Sequence, residues 1–122
     1  MVLLRLPGAA QQPDCLHGRG EAPRDQQRRQ AAFAVARSIT VQEHSVLGRG
    51  PTDARRFRPL AELKGIPATP DGFQLQLLTD GESYSFFIRD GVDPCYYTIF
   101  SDQDRDLYEA TPTREGGLLR IG

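Results

Sequence analysis

Tryptophan is missing from this sequence, and cysteine and histidine are down to two residues each. Cys15 and Cys95 stand far apart, and two histidines cannot complete a zinc site at ordinary ligand spacings. A Cys15–Cys95 disulfide would need an anchored Cys15, and its surroundings offer no anchor. The favoured reading is one buried strand cysteine and one exposed thiol. Long apolar runs are also missing. Met1-Val2-Leu3-Leu4 stops at Arg5, short of the ~7 to 15 apolar residues of a secretory signal core and far short of a membrane span. Excess charge of one sign is absent too: the formal net charge is -1, so no global field favours nucleic acid or an anionic membrane.

What is present lies mostly towards the C-terminus. Of 122 residues, 39% are apolar, enough for one domain with a thin core. The Phe and Tyr residues fall almost entirely after residue 72, and so the core belongs there. Residues 71–110 contain four short apolar runs separated by Asp, Gly, Ser or Pro, which is the pattern of an antiparallel meander. Phe73, Leu75 and Leu77 alternate with Gln74 and Gln76; Asp80-Gly81 signals a hairpin; Tyr84, Phe86 and Ile88 alternate again. Tyr97 and Ile99 point opposite to Tyr96, Thr98 and Phe100, and Leu107-Tyr108 opens the last of the four strands. Leu118, Leu119 and Ile121 could add a weak edge strand in an otherwise trailing tail, residues 113–122.

Ahead of the meander, residues 1–26 are rich in Pro, Gly, Gln and Arg and read as a disordered leader. A basic binding arm built on Arg19, Arg24, Arg28 and Arg29 is the weaker alternative, since Glu21 and Asp25 dilute its charge. From Asp25 to Leu47 no Pro or Gly intervenes, and Ala31, Ala32, Ala34 and Ala36 favour a helix. Asp25 is its candidate N-cap and Gly48 its stop. Ala32, Val35, Ile39 and Val46 share one face, while Arg37 and Glu43 are assigned to the opposite face. His44 near the C-terminal end reads as a surface residue. Pro59-Leu60-Ala61-Glu62-Leu63 looks like a single helical turn closed by Gly65.

The expected fold is therefore α+β: one amphipathic helix on a four-stranded antiparallel sheet, occupying residues 27–112. The stripe Ala32, Val35, Ile39 and Val46 would pack on Phe73, Leu75, Leu77, Phe86 and Ile88. Candidate chemistry is sparse. Asp102, Asp104 and Asp106 begin like a calcium loop, but Leu107 and Thr113 stand where an EF-hand needs Gly and Glu. These three carboxylates remain a weak calcium candidate, and no other cofactor is expected. Ser83, Ser85 and Ser101 lack a nucleophile-elbow context, so the expectation is a protein without catalysis.

Three stretches resemble the bacterial type IV pilin and type II secretion pseudopilin family. Residues 30–43, Gln-Ala-Ala-Phe-Ala-Val-Ala-Arg-Ser-Ile-Thr-Val-Gln-Glu, look like the amphipathic half of the pilin helix. Phe57-Arg58-Pro59-Leu60-Ala61-Glu62-Leu63 is similar to the element joining helix to sheet. Asp71-Gly72-Phe73-Gln74-Leu75 with Gly81-Glu82-Ser83-Tyr84, and Ile99-Phe100-Ser101-Asp102 with Leu107-Tyr108, look like the first and last hairpins. The resemblance implies a structural head domain whose partners are other pilin-like subunits or secretion-machinery proteins. It departs at the start: residues 1–29 hold no processing site and no apolar half-helix. As written the chain is not expected to insert in a membrane. The resemblance places it on the periplasmic side of the cell envelope if a longer precursor exists, and in the cytoplasm if Met1 is the true start. The competing expectation is a stand-alone module that offers Tyr96, Tyr97 or Tyr108 to a partner.

Overall fold

A single helix, α1 (Pro23–Leu47), crosses one face of an antiparallel sheet in the computed structural model, which describes residues 15–47, 56–111 and 119–120. Pro23 opens α1, where its missing N–H costs nothing and its fixed φ is helical. Asp25 lies inside the first turn rather than capping it, and accepts a hydrogen bond from Arg28 at 3.0 Å. Gly48, the expected stop, lies outside the described residues.

The buried stripe of α1 is Ala32, Val35, Ala36 and Ile39, and one helical step of four beyond Ile39 lies Glu43. Glu43 is fully buried, which corrects its assignment to the outer face. Its spacing from Ile39 put it on the core side, and the loop after the helix supplies a partner: Arg58 N–H donates to Oε1 at 2.8 Å. Val46 belongs to the last turn, but its side chain is outside the described residues.

A 3-10 turn, Leu60–Glu62, follows Pro59, and then come β1 (Phe73–Thr79), β2 (Tyr84–Asp90), β3 (Thr98–Asp102) and β4 (Tyr108–Ala110). They pair in sequence order, each antiparallel to the last. A two-residue β5 (Leu119–Arg120) adds to β4, so part of the expected tail joins the sheet. The core holds the α1 stripe with Phe57, Phe73, Tyr84, Phe86, Ile88, Tyr97, Ile99 and Leu107. Leu75 and Leu77 pack against it, half-buried.

The hairpin at Asp80-Gly81 is closed locally. Asp80 Oδ1 accepts the N–H groups of Glu82 and Ser83, both at 2.9 Å, and Gly81 takes a φ of +94° open chiefly to glycine. Those donors hold the Asp80 carboxyl below its ordinary range.

Residues 15–22 are not a solvated leader. Cys15 and Cys95 form a disulfide, with Cα atoms 5.2 Å apart. The anchor that the sequence did not reveal is a set of polar contacts around it. Leu16 N–H donates to Asp93 Oδ1 at 3.0 Å, and His17, only 4% exposed, sits against the rings of Tyr97 and Phe73.

Candidate functional site

Alternation along the strands gives the sheet two unlike faces. Phe73, Phe86, Ile88, Tyr97 and Ile99 point under α1; Gln76, Leu78, Phe87, Arg89, Phe100 and Tyr108 point away from it. Among the described residues no second layer covers that outer face. A shallow groove of about 550 Å³ runs along it.

The groove has an aromatic floor and charged ends. Phe100 and Tyr108 are directly paired on β3 and β4, with stacked rings 5.6 Å apart. At one end, Arg89 lies over Phe87 at 5.6 Å and beside Tyr96 at 5.9 Å, and donates to Gln74 Oε1 at 3.1 Å. Among the described residues Arg89 meets no carboxylate at ion-pair distance. At the other end lies Asp102, four residues along β3 from Thr98, the partner of Arg89, or roughly 13 Å of extended strand. Tyr96 reaches the groove because its backbone adopts φ +54°, which sends it outward while Tyr97 turns into the core. A surface of this kind can stack an aliphatic or aromatic side chain on its floor and hold opposite charges at its two ends.

Of the three tyrosines considered for a partner face, Tyr96 is exposed (45%) and Tyr108 half-buried in the groove, whereas Tyr97 is in the core. Tyr97 donates to Glu109 Oε2 at 2.8 Å, and burial together with that carboxylate raises its pKa strongly.

On the α1 side, a polar network fixes the chain ahead of the helix against the β2–β3 loop. Asp90 receives a two-pronged ion pair from Arg28, at 2.8 and 3.0 Å, and His17 Nε2 lies 2.7 Å from it. Burial alone would raise the Asp90 pKa, but Arg28, His17 and the Val92 N–H together hold it below the ordinary value. Glu21 repeats the arrangement with Arg29 and with His17 Nδ1 at 2.5 Å. Burial pushes its carboxyl up, and Arg29 and His17 bring it below normal. Asp93 accepts from the N–H groups of Leu16, Cys95 and Tyr97, tying loop, disulfide and core together. Arg28 and Arg29 are thus spent on internal carboxylates and do not form a basic arm.

The opposite end of the helix holds a second polar group. His44 Nε2 lies 3.1 Å from the Tyr84 hydroxyl and packs edge-on against Phe57. Burial, with Arg105 nearby, lowers its pKa, and His44 is half-buried rather than the surface residue expected. Burial raises the pKa of Tyr84 to about 12. Among the described residues Glu43 Oε2 has no hydrogen-bond partner, and burial raises the Glu43 pKa.

Comparison with protein-family models, curated proteins and solved structures finds no match for this chain.

The calcium candidate is not assembled. Among the described residues no cluster of three acidic, His or Cys side chains could hold a metal ion, and that includes Asp102, Asp104 and Asp106. Asp102 Oδ1 instead accepts the Asp104 N–H at 2.9 Å, a local turn bond, while Ser101 Oγ donates to the Asp106 carbonyl. Ser83 donates to Asp80, again within its own turn. The residues that the sequence reading missed are His17, Glu21, Asp90 and Asp93. Their one available signal was Cys15, two positions before a lone histidine.

Proposed function

We propose that this chain is a pilin- or pseudopilin-like head domain that acts by protein–protein contact in an extracytoplasmic compartment, without catalysis of its own. The observation that carries the proposal is the uncovered aromatic face of a sheet whose other face is packed by one N-terminal helix. That layout, helix then a 3-10 turn then an antiparallel meander, agrees with the resemblance of residues 30–43 and 57–63 to pilin segments. The Cys15–Cys95 disulfide supports the compartment, because such bonds persist where the surroundings are oxidising. In this reading the groove between Arg89 and Asp102 receives a side chain of a neighbouring subunit.

One observation favours a second reading, a stand-alone binding module. Residues 15–22 fold back onto the sheet ahead of Pro23, whereas a pilin helix runs on from its apolar half without a break. Among the described residues no helix is long and apolar enough to cross a membrane.

The DNA upstream of the Met1 codon tests the choice. An in-frame basic leader, Gly-Phe processing site and apolar run support the filament reading. An in-frame stop codon followed by a ribosome-binding site directly before Met1 overturns it and leaves the binding module.

A further inference from the structure

The two edges of the sheet are unlike. On one side, among the described residues, β4 and β5 span three and two residues, a short edge for another strand to pair with. On the other, β1 runs for seven residues, Phe-Gln-Leu-Gln-Leu-Leu-Thr, with no charge, no proline and an unbroken register against β2. Proteins usually guard such an edge with Lys, Pro or a bulge. β1 has none of these.

The pairing pattern identifies which backbone groups face outward. Gly91 N–H donates to the Gly72 carbonyl, and Asp80 N–H to the Ser83 carbonyl, at the two ends of the β1–β2 ladder. Bonded and non-bonded pairs alternate in an antiparallel ladder, so Gln74, Gln76 and Leu78 bond to β2. Phe73, Leu75, Leu77 and Thr79 therefore direct their N–H and C=O groups to the side away from β2, where no strand pairs among the described residues. Of these, Phe73 N–H is taken by the Pro70 carbonyl at 3.1 Å. No backbone bond among the described residues engages the outward groups of Leu75 or Leu77.

We propose that β1 is a pairing edge whose occupant is β1 of a second copy, antiparallel about a two-fold axis at Gln76. A centre there gives all seven strand residues a partner. Leu75 exchanges both backbone bonds with Leu77 of the second copy, and Thr79 N–H reaches the Phe73 carbonyl, to which no backbone bond runs among the described residues. Side chains agree with this register. Leu75 lies beside Leu77 of the second copy on the helix side, and Gln76 faces its own counterpart on the groove side. No carboxylate or guanidinium is set opposite a like charge. The two sheets become one, and the grooves, each reaching Gln76 and Leu78, meet across the axis. This inference concerns a different surface from the groove floor and does not rest on the filament reading.

Sedimentation velocity over a range of concentrations, with the disulfide intact, is the test. The expected result is a reversible dimer for the wild type. Gln76 is exposed in the single chain, so Gln76→Lys and Gln76→Asp leave the fold in place while setting like charges face to face. Each variant alone should dimerise at least about tenfold more weakly, from two like charges ~5 Å apart near a surface. Mixing the two should restore association. A wild type that stays monomeric at every concentration overturns the proposal, as does a dimer that neither variant weakens.

Discussion

His17 Nε2 lies 2.7 Å from Asp90 Oδ2, joining the segment ahead of α1 to the last residue of β2 across 73 positions of sequence. Both side chains are almost wholly removed from solvent, and Arg28 closes the far side of the carboxylate. Three positions on three separate segments thus depend on one charge.

Asp90→Asn removes that charge and leaves two donors facing an amide. Breaking a buried pair from one side costs about 3 to 5 kcal/mol, read from urea unfolding at neutral pH. Its pH dependence has a definite sign. Asp90 and Glu21 are held below their ordinary range, so their stabilisation is present above the unfolded carboxylate pKa of about 4 and is lost as pH falls through their lowered folded values. The wild type should lose stability on acidification below that point, and Asp90→Asn should lose it less steeply.

Glu43 has the opposite sign. Burial raises its folded pKa, so its neutral form is tolerated, and stability falls as pH rises from the ordinary carboxylate value through the raised one. Glu43→Gln keeps an acceptor for the Arg58 N–H and cannot ionise. Thermal melts should find the variant more stable than the wild type at pH 8, with the difference gone at pH 4.

Loss of the Cys15–Cys95 bond opens a loop of 80 residues in sequence separation. The chain-entropy relation puts the cost at about 4 to 5 kcal/mol, seen as a lower denaturation midpoint for the Cys15→Ser, Cys95→Ser double variant. Mass spectrometry of the wild type under alkylating, non-reducing conditions should find neither thiol labelled.

Gly72 takes φ +85°, and a Cβ there would collide with the Arg28 guanidinium and with Val92. Gly72→Ala therefore strains the backbone and displaces Arg28 from Asp90 at once. A loss of at least about 1 to 2 kcal/mol is expected from the left-handed backbone alone. Calorimetry of the variant checks it.

The α+β layout was legible because it rests on local periodicities. A period of two marks Phe73 to Leu77 and Tyr84 to Ile88, and Asp80-Gly81 marks the turn between them. Glu43 was misplaced because its charge was allowed to outweigh its spacing of four from Ile39. The Cys15–His17 segment was misread for a different reason. The Pro and Gly around it match a disordered tail, and the contacts that fix it reach Cys95, Asp93, Asp90, Tyr97 and Phe73, all more than fifty positions away, with Glu21 as a nearby partner. The groove was half visible: Tyr96 and Tyr108 were offered to a partner, but without Phe87, Phe100, Arg89 or Asp102 beside them. Which exposed aromatics converge depends on strand register, and register comes from pairing that the sequence does not print.

In the proposed function the outer face of the sheet, not the outer face of α1, meets the partner. Site-specific photocrosslinking tests it most directly, with a benzophenone side chain at Phe100 in the groove or at Val41, which is 61% exposed on the helix. In cells expressing the full chain, the account predicts a discrete adduct to a pilin-like subunit from position 100 and none from position 41. Adducts from position 41 with none from position 100 would contradict it.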